Sequence, residues 1–344
     1  MESIISQDNK NRSIFITGAS SGIGYQAALR MLTEGDHLIL PCRNAETSKA
    51  MLQELSNDLD GDNHLFENIY TPILDLADLN SIENCINMLL SENVDIDTLI
   101  LNAGIQYTGD KEPRWSSQDY ELTFAVNHLG HHFLTEGILP ILQKSSRSRI
   151  VITASEVHNP EAPGGQFGKP AGLGSLDGII TGNGQPMIDG VSDFNADKAY
   201  KDSKLCNILF AKELSSRLCS EGFNIPIIAW APGLVIPRKD GGFFRYSRKY
   251  NEFGQRLFAL IVRDILGITE TPEKAGELLF RVATEAEFLK DDFSYYSNKV
   301  AGLGRRIFEK SDISKEASDV NLSRLLWEKT VNIIDDFKDK SETF

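Results

Sequence analysis

Cysteine is scarce in this chain. The 344 residues hold four (Cys42, Cys85, Cys206 and Cys219), with neither the close pairs of a zinc site nor the spacing of a disulfide framework. That excludes a disulfide-stapled secreted scaffold and points to a reducing, cytoplasmic setting. Long apolar runs are also missing. Stretches such as "LFALIV" fall far short of the roughly 20 residues a membrane-spanning helix needs. The opening "MESIISQDNKNRS" has no apolar centre and is not expected to act as a signal peptide. Positive charge is in short supply, with 35 basic against 49 acidic residues and a net charge of −14. Such a balance argues against general nucleic-acid binding, because a phosphate backbone is repelled overall. The expectation is a soluble protein, or one attached at most to a membrane surface. No internal repeat or linker breaks the chain, so residues 1–344 read as one domain.

What is present is a regular alternation. "SIFITG" reads as a strand, followed by a helix through "GYQAALRMLTEG" and a second strand at "HLILPC". A helix near 45–58 leads to "YTPILDLAD", a helix over 80–91 to "DTLILNAG", and a long helical stretch to "SRIVITAS". Apolar strands separated by helices of this length predict βαβ units, hence an α/β fold with a doubly wound parallel sheet covered on both faces.

The first strand runs into "TGASSGIG", with glycines at Gly18, Gly22 and Gly24. Glycine is needed where backbone turns tightly and approaches a pyrophosphate, and the following helix N-terminus attracts that anion. A plain strand-to-helix turn also wants glycine, but the position after the first strand favours a dinucleotide site. The second strand ends in "LPCRNAE". Arg43 stands there with no acid before it, which suits the 2′-phosphate of NADP(H) rather than the 2′-hydroxyl of NAD.

In "KAYKDSKLCN", within an apparently amphipathic helix, Tyr200 and Lys204 lie four residues apart and so share a helix face. A nearby ammonium stabilises a phenolate, so the pair can serve as a tuned proton donor. By itself this spacing is more often a solvated face. Residues 156–199 break the alternation with nine glycines and four prolines. Such a long irregular segment is expected to be an ordered flap over a site, the alternative being a disordered insert.

Taken in order, "TGASSGIG", "LNAG" at 101–104, "NHLGH" at 127–131, and Ser155 before Tyr200 and Lys204 resemble the short-chain dehydrogenase/reductase family over about residues 13–235. The resemblance implies a Rossmann-like fold and a cofactor held by Gly18, Ser20, Ser21, Gly22, Ile23 and Gly24. Arg43, Asp75, Leu76, Asn102, Ala103, Gly104, Tyr200, Lys204, Pro232 and Gly233 complete that cofactor set. It implies that Asn127 belongs to a proton relay, Ser155 positions the substrate carbonyl, and Tyr200 donates the proton. Lys204 is expected to bind the ribose and lower the pKa of Tyr200.

"PMIDG" in the insert, "KAYKDSKLCN" and the C-terminal "ISKEASDVNLSRLLWE" resemble more closely the light-dependent protochlorophyllide oxidoreductases of that family. This implies a tetrapyrrole substrate, reduction of a ring C=C bond, a part in chlorophyll biosynthesis, and a setting peripheral to a thylakoid membrane. The chain departs from that pattern in "APGLVIPRKDGG". Leu234 stands where those enzymes carry a cysteine, Pro237 where a threonine is usual, and Ser155 where they have threonine. The alternatives are a light-independent carbonyl or alcohol oxidoreductase for a bulky apolar substrate, and a non-catalytic NADPH- or pigment-binding protein. An oligomer is compatible with either.

The histidines of "NHLGHH" (His128, His131, His132) lack ligands at metal spacing and read as helix packing and solvent exposure. Residues 238–268 read as a substrate lid. Seven basic residues (Arg238, Lys239, Arg245, Arg248, Lys249, Arg256, Arg263) interleave there with aromatics. A stretch of that kind can cover a carboxylated ligand or lie on an anionic membrane.

Overall fold

The computed structural model describes residues 11–59, 63–181, 183–235, 269–302 and 305–341. The expected lid at 238–268, and Pro237 with it, lies outside the described residues.

Eight strands form one sheet in the order β3-β2-β1-β4-β5-β6-β7-β8. They are β1 (Ser13–Ile16), β2 (His37–Ile39), β3 (Ile69–Tyr70), β4 (Thr98–Leu101), β5 (Arg149–Thr153), β6 (Ile227–Ala231), β7 (Phe293–Gly302) and β8 (Arg305–Lys310). All neighbours pair in parallel except β7 and β8, which are antiparallel. The doubly wound expectation is met, and the antiparallel edge hairpin is an addition to it.

The central strands are apolar throughout because both of their faces are covered. Along β1 the side chains alternate: Phe15 joins one core cluster while Ile14 and Ile16 join the other. The first cluster takes in helices Leu79–Ser91, Gly130–Leu142, Ala196–Ser220 and Val320–Ser341. The second takes in Gly22–Thr33, Ala45–Asp58 and Pro272–Thr284. Arg149, at the start of β5, caps the last of these. Its guanidinium donates to the carbonyls of Val282 (3.3 Å), Thr284 (3.4 Å) and Glu285 (3.0 Å), a cation at a helix C-terminus.

The chain winds outward from β1 through β2 to β3, then returns to place β4 on the other side of β1. Strand order reverses there, and the carboxyl ends of β1 and β4 open a crevice where a ligand can sit. Among the described residues, no helix is long and apolar enough to cross a membrane.

Candidate active site

The glycine turn follows β1 directly. Gly18 has φ +71° and Gly22 φ +62°, left-handed values that glycine adopts at no steric cost. A Cβ on Gly18 would lie 2.7 Å from the Ala103 Cα, and one on Gly24 only 2.5 Å from the Gly18 carbonyl oxygen. The turn is therefore packed tightly against the "NAG" loop after β4. Gly22, by contrast, faces open space, and Ser21 makes no side-chain cap on the helix beginning there. Uncapped helical N–H groups beside an open backbone fit a phosphate.

Beneath the turn lies a polar knot that sequence reasoning missed. The Thr17 hydroxyl accepts from the backbone N–H of Asn102 (2.9 Å) and of Ala103 (3.0 Å). It also lies 2.9 Å from His131 Nε2. His131 Nδ1 is 3.2 Å from the Asn127 carbonyl oxygen, and burial drives this imidazole down to about 3, so the ring is neutral. The carbonyl requires Nδ1–H, leaving Nε2 to accept from Thr17. The Asn102 side chain donates to the carbonyl of Thr17 at 3.2 Å. The expected solvent exposure of the histidines is not found, because all three are buried. His131 turns to Thr17, while the C-terminal helix covers His132 with Trp327 (4.4 Å between ring centres) and gives His128 a partner in Thr330 (3.2 Å).

Asn127 sits in a π-helical turn, Ala125–Leu129, a widening of the helix that re-aims its side chain. Its Oδ1 accepts from Ile105 N (2.8 Å) and its Nδ2 donates to Ile105 O (3.0 Å) and Ser203 Oγ (3.0 Å). The side chain thus clasps the "NAG" loop onto the helix that carries Tyr200 and Lys204.

That helix, Ala196–Ser220, is not amphipathic as expected. Lys201, Asp202, Ser203 and Lys204 are all buried, because the insert packs over it. Lys198 Nζ donates to the Gly172 carbonyl (2.7 Å) and pairs with Asp189 (3.0 Å) and Asp202 (2.5 Å), while Lys201 donates to the Lys169 carbonyl (3.0 Å). The two lysines flanking Tyr200 hold the insert in place.

Ser155, two residues past β5, is hydrogen-bonded through its hydroxyl to the Tyr200 phenol. Lys204 lies one turn along, its Nζ 2.9 Å from the Thr153 carbonyl and 5.7 Å from the Tyr200 ring centre. The expected lowering of the phenol pKa by this ammonium is not found. Burial pushes Tyr200 above its usual range, and the Ser155 hydrogen bond is what opposes the rise. Burial also lowers the Lys204 ammonium, to about 8. Behind Ser155, His158 Nδ1 lies 2.6 Å from the Ser155 carbonyl, and Ser314 N donates to His158 Nε2 (3.3 Å). The C-terminal segment thereby fixes the Ser155 backbone.

The remaining sites are spread along the carboxyl edge. Pro232 and Gly233 (φ +80°) follow β6, with Pro232 O accepting from Asn298 Nδ2 (3.1 Å) and the half-buried Leu234 next in line. Arg43 is exposed beyond β2. Asp75 caps its own turn through Ala77 N (2.9 Å), with Leu76 buried beside it. Ser20 and Ile23 are part-buried and Ser21 exposed along the glycine turn.

Comparison with known proteins agrees with this geometry. Residues 12–166 match the short chain dehydrogenase family. Protochlorophyllide reductase A of Oryza sativa is 30% identical over 93% of this chain and 80% of its own length. The protochlorophyllide reductase of Avena sativa is 31% identical over 93% of this chain and 99% of its own. Among solved structures, an uncharacterized protein of Mycobacterium paratuberculosis superposes with a TM-score of 0.65 at 23% identity, covering 94% of this chain and 93% of that one. The L-sorbose reductase of Gluconobacter frateurii, complexed with NADPH and L-sorbose, gives 0.58 at 16%, covering 87% and 98%. This chain belongs to the short-chain dehydrogenase/reductase family.

Proposed function

We propose that the protein is an NADP(H)-dependent reductase that delivers hydride to a ring C=C bond of a tetrapyrrole, with Tyr200 as proton donor. The observation that carries this reading is the hydrogen bond between Ser155 and the half-buried Tyr200, one helical turn from Lys204. The tetrapyrrole rests on the likeness to protochlorophyllide reductases over nearly the whole chain. When bound, NADPH supplies the hydride. The glycine turn and the uncapped helix would hold its pyrophosphate, Asn102–Gly104 and Pro232–Gly233 would flank the nicotinamide, and Arg43 would meet the 2′-phosphate.

The protein's own groups then divide the work. Burial keeps the Tyr200 phenol protonated, the Ser155 hydroxyl aims it, and the Lys204 ammonium, one turn along, would hold the cofactor ribose. Asn127 keeps loop and helix in register. Serine at 155 and leucine at 234 favour a second reading, a light-independent carbonyl reductase. The test is to mix protein, NADPH and protochlorophyllide and record absorption in darkness and after illumination. Product formed only after illumination supports the first reading. Product formed in darkness keeps the tetrapyrrole and removes the need for light, and no product in either condition removes the tetrapyrrole and leaves the second reading.

Two further outcomes are expected. Arg43→Ala should weaken NADPH about ten- to hundredfold and leave NADH nearly unchanged, because a charge-assisted contact to phosphate contributes about 1.5–3 kcal/mol. Titration by cofactor fluorescence measures both, and an unchanged NADPH affinity removes Arg43 from the site. Turnover should also decline above about pH 8. Lys204 is charged below that value and loses its proton as pH rises through it, so its charged hold on the cofactor ribose is lost. Initial rates between pH 6 and 10 show this, and a level profile to pH 10 contradicts it.

A further inference from the structure

We infer that Arg306 is an anion receptor in the substrate half of the cleft, and that the substrate it recognises carries a carboxylate. The inference rests on reading this cleft as the site of a reductase.

Arg306 lies on β8 but reaches back to the end of β6. A Cβ on Gly233 would lie 3.1 Å from Arg306 Nη1, so the guanidinium stands against the Pro-Gly turn. Its side chain is 10% exposed, and neither terminal nitrogen has a hydrogen-bond partner among the described residues. The nearest carboxylate does not serve them. Glu270 Oε2 approaches only the inner nitrogen, Nε, at 3.9 Å. Glu270 is itself engaged, Oε2 by Asn298 Nδ2 (3.1 Å) and Oε1 by Thr271 N (3.1 Å). Glu156, next to Ser155, feels the Arg306 charge. A buried guanidinium with two unused donor nitrogens is costly to keep. Its planar fork matches a carboxylate held in two-point contact.

The anion belongs to the substrate because the cofactor's phosphates have places elsewhere. The pyrophosphate fits the helix N-terminus after β1, and Arg43 stands beyond β2 on the far side of β1. At about 4.8 Å per strand, the tip of β6 lies roughly 14 Å from that of β1. Ser155 follows β5 by two residues, and β5 is the strand next to β6, so a carboxylate on Arg306 would sit close to the reacting end of the cleft. Arg306 would orient the substrate there without taking part in bond making.

The experiment uses NADPH-loaded protein and two probes, protochlorophyllide and 2-naphthoate, each as free acid and as methyl ester. Affinities are read by fluorescence for the natural chain, Arg306→Met and Arg306→Lys, with thermal melts to verify folding. The expected result is that each acid binds about tenfold or more tightly than its ester. Arg306→Met should erase that preference and spare the ester and NADPH, while Arg306→Lys keeps part of it. If neither probe is preferred as the acid, or if Arg306→Met weakens NADPH as much as the acids, the inference is overturned. A preference for naphthoate with no binding of protochlorophyllide in either form would sustain the receptor and remove the tetrapyrrole.

Discussion

Tyr200→Phe is expected to lower turnover about 10²- to 10⁴-fold, the range for a lost general acid, while folding and NADPH affinity stay close to those of the natural chain. The ring remains, so the packing of the Ala196–Ser220 helix is preserved. Only the hydroxyl goes, and with it the hydrogen-bond partner of Ser155. Ser155 is part-exposed and can turn to water, so little stability is lost. The phenol is held in its acid form by burial, which suits a donor and not a base at neutral pH. Single-turnover rates with NADPH and the active substrate, beside a thermal melt, separate the two effects. Undiminished turnover would make Tyr200 a packing residue, and a collapsed melt would show the hydroxyl to be structural.

The catalytic side of this arrangement was legible because its signals are local. A glycine turn must follow a strand, and Tyr200 and Lys204 share a face by helical spacing alone. The strands β1, β2, β4 and β5 were equally open to reading, being short apolar runs between helices. "YTPILDLAD" was legible only in part. Pro72 has no N–H to give to a ladder, so β3 stops at Tyr70 and a single bridge from Cys42 to Ile73 continues the pairing. What the sequence concealed lies in long-range contacts. The β7–β8 hairpin comes after the βα rhythm has ended, so no local signal announced it, and Arg306 could not be placed beside Gly233. His131 looked like part of a surface cluster because nothing in "NHLGHH" tells that Thr17, over a hundred residues earlier, waits for one of its nitrogens.

Thr17→Val tests that hidden contact, and it is expected to destabilise the protein by about 2–5 kcal/mol. Valine keeps the shape and deletes the hydroxyl, so volume is not the issue. Three groups lose their partner at once: the N–H of Asn102, the N–H of Ala103 and Nε2 of His131. Each buried polar group left unsatisfied costs about 1–3 kcal/mol, and part of that is recovered where the half-buried loop at 102–103 meets water. Thr17→Ser is the control, since it retains the hydroxyl and gives up one buried methyl group, worth about 0.8 kcal/mol. Denaturant melts of the three proteins without cofactor give the comparison. The same knot sets the "NAG" loop against the glycine turn, where a Cβ on Gly18 would already be 2.7 Å from Ala103. NADPH affinity should therefore fall in Thr17→Val and hold in Thr17→Ser. Equal stability of the valine and serine proteins would mean that His131 and the loop amides find other partners, and that the loop is held by the Asn127 clasp alone.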